Sequence, residues 1–113
     1  MTNQELFDKR INGKLPVLVD FYTSQDATSR MMNTLLKIVV YRLEGKIKMI
    51  RVDINANNNQ EIINQHLQQK MSTFSLFYQG ELQWQGTGFF TSRRLIDIIK
   101  DQLLKLQPYT EIE

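Results

Sequence analysis

Apolar residues along the 113-residue chain alternate between a helical and an extended rhythm. Leu6, Phe7 and Ile11 fall on one face at helical spacing, which predicts a short helix to about Asn12 with these three side chains inward. Thr2-Asn3-Gln4-Glu5 has the spacing of a capping box, in which the Thr2 hydroxyl and the Glu5 carboxylate satisfy amides at a helix start. Asn12-Gly13 supplies residues that tolerate positive φ for the helix's termination. Pro16 then opens the extended run Val17-Leu18-Val19-Asp20-Phe21-Tyr22, apolar on both alternating faces except at Asp20. Such a run predicts a central strand covered by helices on both sides. From Asp26 the helical rhythm returns through Met31, Met32, Leu35, Leu36, Val39, Val40 and Leu43, marking the longest helix, which ends before Gly45.

Strand character resumes over 46–53 through Ile47, Met49, Ile50 and Val52, and Asn55 to Asn59 has the polarity of a loop ending in a helix cap. The next helix is predicted to about Gln69, with Ile62, Ile63 and Leu67 as a narrow inward stripe and His66 on the solvated side. Thr73 to Tyr78, the turn Gln79-Gly80, and Glu81 to Gln85 have the pattern of a β-hairpin. Thr91 or Ser92 is placed to cap a last helix carrying Leu95, Ile96, Ile98, Ile99, Leu103 and Leu104, closed before Pro108. The order helix, strand, helix, strand, helix, strand, strand, helix is that of an α/β domain.

A hydrophobic content of 42% is enough for one core, so a single domain over 1–107 with a short tail at 108–113 is expected. The net charge is only +2, and although the pI of about 9.0 suits an acidic partner, Lys9-Arg10 and Arg93-Arg94 are the only adjacent basic pairs. Scattered charge of this kind argues against a nucleic-acid footprint. The longest apolar runs, such as 17–19 and 38–41, fall far short of the roughly 20 residues that cross a bilayer. The opening Met1-Thr2-Asn3-Gln4-Glu5 lacks the basic and apolar stretches of a secretory signal, so no membrane attachment and a cytoplasmic location are expected.

The chain contains no cysteine, which removes disulfides, thiolate metal sites and thiol chemistry together. His66, the single histidine, lies in a polar helix with only Glu61 as a nearby acidic residue, so surface exposure rather than a metal site is expected. Gly86-x-Gly88 follows a hairpin strand and lacks the rest of a nucleotide fingerprint. No metal, cofactor or catalytic residue is expected on these grounds. The methionines are assigned by default to core filling, whereas Trp84, Phe89 and Phe90 are open between an exposed aromatic surface and packing under the hairpin and last helix.

The element order, the run 16–22 and the helix start that follows resemble the thioredoxin family over roughly residues 3 to 105. In that family the same strand carries a buried aspartate and leads into Trp-Cys-Gly-Pro-Cys; the matching stretch here is Gln25-Asp26-Ala27-Thr28-Ser29. Asp26 and Ser29 thus stand where the two catalytic cysteines would be. Arg30-Met31 and Arg51-Val52-Asp53-Ile54 are similar to further family segments, and 72–80 lines up with Pro-Thr-Leu-Leu-Leu-Phe-Lys-Asn-Gly, with Ser72 replacing a cis-proline. Gly88 matches a glycine near the family's substrate groove. The resemblance implies a three-layer fold whose four-stranded mixed sheet runs in the order 47–53, 16–22, 73–79 and 82–87, with the hairpin antiparallel to the rest.

These departures redefine the chemistry. Asp26 suits a helix cap and supplies no redox group. A non-proline cis peptide costs about 3 kcal/mol, so Met71–Ser72 is expected to be trans. Asp20, buried by its position in the strand, needs a partner, and Arg51 is the expected one. The candidate binding surface implied by the resemblance is Tyr22, Ser24, Gln25, Asp26, Thr28, Ser72, Thr73 and Gly88. The expected function is a redox-inactive module that binds a protein or peptide; the alternative is an accessory component of a thiol–disulfide oxidoreductase system whose partner supplies the thiols.

Overall fold

In the computed structural model, residues 1–23 and 27–106 are described, with side chains for 1–23 and 31–106. The chain folds as α1 (Asn3–Ile11), β1 (Val17–Tyr22), α2 (Ala27–Arg42), β2 (Lys48–Asp53), a 3-10 turn (Asn57–Asn59), α3 (Gln60–His66), β3 (Thr73–Tyr78), β4 (Glu81–Thr87) and α4 (Ser92–Leu106). The sheet order is β2-β1-β3-β4. β2 is parallel to β1, β3 is antiparallel to β1, and β4 is antiparallel to β3. Only β3 therefore opposes the other strands; β4 turns back into the direction of β1, which corrects the implied direction of the hairpin as a whole.

Alternation along β1 builds two cores. Val17, Val19 and Phe21 join Phe7, Ile11, Ile62, Ile63 and Phe77 on the α1–α3 side. Leu18 joins Leu36, Val39, Leu76, Leu95 and Ile99 on the α2–α4 side. Because successive side chains of a strand point to opposite faces, a strand in the middle layer must be apolar on both, which is the pattern from Val17 to Phe21. Asp20 shares the parity of Leu18 and is the single polar intruder in that run.

Helix ends follow local chemistry in most places. The Glu5 amide donates to Thr2 Oγ1 at 3.1 Å, while the Thr2 hydroxyl, rather than its amide, reaches the Glu5 carboxylate at 3.2 Å. The Arg94 amide donates to Thr91 Oγ1 at 3.2 Å, so Thr91 rather than Ser92 caps α4. α2 closes through left-handed Glu44 and Gly45, at φ 53° and 73°. α1 does not use Asn12-Gly13 in this way: Asn12 keeps φ −94°, and the Ile11 carbonyl instead accepts the amide of Gly80 at 3.0 Å, across the hairpin turn.

Three faces differ from expectation. Leu6, Met31 and Leu104 are exposed by 39%, 72% and 68%, leaving narrower inward stripes than their spacing predicted. Within the expected 55–59 loop, Asn57–Asn59 form a 3-10 turn with no side-chain cap on α3; the Asn59 and Gln60 side chains instead donate to the Asp53, Ile54 and Ala56 carbonyls. α3 stops at His66, short of Gln69, because Leu67 turns extended and the Gln85 side chain donates to the His66 carbonyl at 3.2 Å. No cis peptide occurs among the described residues, Met71–Ser72 included.

Candidate functional site

Parallel pairing of β1 with β2 places Asp20 directly opposite Arg51. Arg51 Nε donates to Asp20 Oδ2 at 2.9 Å, with the Asp20 side chain only 5% exposed and that of Arg51 24% exposed. The guanidinium also lies over the Tyr22 ring, 4.1 Å from its centroid. One cation thus neutralises a buried carboxylate and stacks on an aromatic face, a dual role suited to the flat guanidinium.

Burial pushes the Asp20 carboxyl above its usual value of 3.8, and the Arg51 hydrogen bond and charge only partly oppose this. Protonated Asp20 is therefore more favoured in the folded chain than in the unfolded one. Its stabilising contribution is complete below the unfolded carboxyl's range and is lost as pH rises through the raised folded value. Asp20→Asn keeps an acceptor for Arg51 and removes the buried charge, so at pH 7 it is expected to raise stability modestly. Urea denaturation of both proteins checks this, and a clear loss of stability in the variant contradicts it.

At the same end of the sheet, the start of β3 meets the end of β4. Thr73 pairs with Thr87, and the Gly88 amide donates to the Ser72 carbonyl at 3.2 Å. Thr73 is buried and its hydroxyl donates to the Met71 carbonyl at 2.8 Å, so it supports the loop from beneath rather than presenting a side chain. Ser72 and Tyr22 are partly exposed and Gly88 is exposed. Gly88 has φ +99° with no atom within 4 Å of where a Cβ would stand. Beside Thr73 a recess of about 270 Å³ is lined by Leu67, Gln68, Gln69, Met71, Gln85 and Thr87, a set without a charged group.

Ser24, Gln25 and Asp26 lie outside the described residues. Thr28 and Ser29 are in the first turn of α2, and their side chains are likewise not described. Among the described residues no three His, Asp or Glu side chains converge as metal ligands. None of their helices is long and apolar enough to cross a membrane.

His66 is placed quite differently from the solvated position expected of it. Its ring centroid is 5.1 Å from those of both Phe7 and Phe77, and its buried Nε2 has no hydrogen-bond partner. The signal was present, since His66 sits one helical turn beyond Ile62 and Ile63 on the same stripe. Burial lowers its pKa from 6.5, with the nearby Asp8 charge opposing. The folded state favours the neutral ring, so stability is complete above the unfolded value and falls as pH drops below it towards the folded one. His66→Phe is expected to remove this acid-side decline. Denaturation midpoints of both proteins across that pH interval check the assignment, and parallel declines contradict it.

A four-stranded mixed sheet between two helical layers, with a buried aspartate on the central β1 strand that precedes α2, is the arrangement of the thioredoxin-like class. The Thioredoxin family model matches residues 1–101. Thioredoxin Y1, chloroplastic, of Arabidopsis thaliana is 32% identical over 101 residues, 89% of this chain and 57% of that protein, so the chain spans little more than half of that relative's length. The thioredoxin of Rickettsia bellii is 26% identical over 103 residues, covering 91% of this chain and 96% of the relative. Among solved structures, a mutant thioredoxin from Halobacterium salinarum NRC-1 superposes with a TM-score of 0.76 at 20% identity over 100% of this chain and 90% of that one. Chloroplastic thioredoxin z superposes with a TM-score of 0.73 at 15% identity over 92% of each chain. The chain belongs to the thioredoxin family, and with no cysteine it carries out none of the thiol exchange that needs one.

Proposed function

We propose that this protein is a redox-inactive thioredoxin-like module, cytoplasmic, that docks a protein or peptide through Tyr22, the 24–28 segment, Ser72 and Gly88, with Thr73 fixing the loop beneath. The observation that carries this reading is the pairing of a cysteine-free chain with an open Gly88–Ser72 corner and an uncharged recess beside it. An amide- and hydroxyl-lined recess without charge suits the backbone and small polar side chains of an extended peptide. Function resides in the site that remains after the catalytic groups are gone, and what remains here is shape and hydrogen-bonding capacity.

The test is affinity capture from lysate with native protein and with Ser72→Arg, a change at a partly exposed position that fills the corner without burying a charge. A partner retained by the native protein and lost by a folded variant is the expected result. Equal retention by both, or retention by neither, contradicts docking at this corner.

A further inference from the structure

We propose that the α2–α4 face is a second docking surface, built for an acidic amphipathic helical segment of a partner protein. Between the C-terminal half of α2 and α4 runs a trough of about 1190 Å³ whose lining includes Ile38, Tyr41, Arg42, Arg93, Ile96 and Lys100. It continues past Arg42 and Lys100 into a recess of about 310 Å³ that adds Lys46, Leu103 and Leu104. Ile38, Tyr41 and Leu104 are exposed by 41%, 84% and 68%, so three large apolar side chains stand uncovered along this one face. Singly exposed apolar residues are ordinary; a run of them in a groove between helices marks an interaction site.

Charge identifies the occupant. Arg42, Lys46, Arg93 and Lys100 border the trough and its extension, against Glu44 and Asp97. Among the described residues the ion pairs are Arg51–Asp20 and Lys105–Asp101, so none of those four cations has an ion-pair partner. An apolar floor with unpaired cations on its rim complements a helix bearing aliphatic residues on one face and carboxylates beside them. Nucleic acid fits less well, because aliphatic side chains, rather than a track of aromatics, form most of the floor. This surface involves none of the residues assigned to peptide docking at the Ser72 corner.

The experiment titrates isotope-labelled full-length protein with a synthetic helical peptide carrying leucines on one face and glutamates on the other, followed by NMR. A lysine-for-glutamate version and a single-stranded DNA oligonucleotide are the comparison ligands. Saturable shifts confined to the α2–α4 face are expected, weakening with salt and unaffected by Ser72→Arg. Arg42→Glu combined with Lys100→Glu, both at exposed positions, is expected to lower affinity at least about tenfold at an unchanged denaturation midpoint. Absence of saturable binding overturns the proposal. So do equal binding of the lysine peptide, tighter binding of the oligonucleotide at this face, or shifts centred on Ser72 and Gly88.

Discussion

Arg51→Met is expected to lower stability at pH 7 by about 3 kcal/mol, because it strands a buried carboxylate without its cation. Asp20 is 4% exposed, and burial already raises its carboxyl pKa even with Arg51 Nε at 2.9 Å. Without that donor the carboxyl's pKa rises further. Loss of the contact over Tyr22 adds a smaller share, about 0.5–1 kcal/mol. The effect has a sign in pH. A folded pKa above the unfolded one means that the variant is most stable at low pH and loses stability as pH rises through the folded value. The gap between native and variant should therefore narrow in acid, where Asp20 is protonated in both. Asp20→Asn placed in the Arg51→Met background should recover most of the loss at pH 7. Urea denaturation at acidic and neutral pH measures all three proteins, and a gap that stays constant with pH, or a double variant no better than Arg51→Met, contradicts this description of the pair.

Gly86→Val is expected to cost about 3 kcal/mol, for steric reasons alone. Gly86 faces Phe74 across the hairpin, and a Cβ there would stand 2.6 Å from Trp84 Cζ2 and 2.7 Å from Phe90 Cζ. Those two rings are already packed edge to face with centroids 5.6 Å apart, and Phe90 packs likewise on Phe74 at 5.8 Å. Relief requires displacing the Trp84 and Phe90 rings from their edge-to-face packing. Gly13→Ala is the matched control, since its Cβ would meet nothing nearer than 3.8 Å and its expected effect is close to zero. Denaturation midpoints with the near-ultraviolet circular dichroism of Trp84 test this, and a Gly86→Val protein as stable as native, with an unaltered tryptophan signal, contradicts it.

Strand-level features were legible in the sequence because they rest on periodicity. The doubly apolar run at β1 could be buried on both faces only in a middle layer, and Gln79-Gly80 adopts positive φ at both turn positions, 52° and 84°, as a tight hairpin needs. The pairing of Asp20 with Arg51 was legible because a buried carboxylate needs a partner, and the adjacency of their strands came from the family resemblance. What was not legible depends on contacts between distant segments. The end of α1 is set by Gly80 and the end of α3 by Gln85, partners 69 and 19 residues away that no local pattern announces. His66 was misplaced because a histidine among asparagines and glutamines looks solvated until Phe7 and Phe77 are brought around it. Gly86 looked like half of a weak glycine motif; its importance comes from two aromatic rings that converge on it only in the folded hairpin. At the site itself, Thr73 begins β3 as expected but is buried, in a strand covered on both faces from Thr73 to Phe77.

The proposed docking of a partner at the Ser72–Gly88 end of the sheet depends on shape rather than on sulfur. The most direct test repeats the lysate capture after every accessible thiol has been blocked by alkylation, under non-reducing conditions. A partner retained equally from blocked and unblocked lysate, and lost with Ser72→Arg, is the predicted result. A partner captured only from unblocked lysate contradicts thiol-independent docking and assigns the chain instead to a complex in which the partner's own cysteines are required.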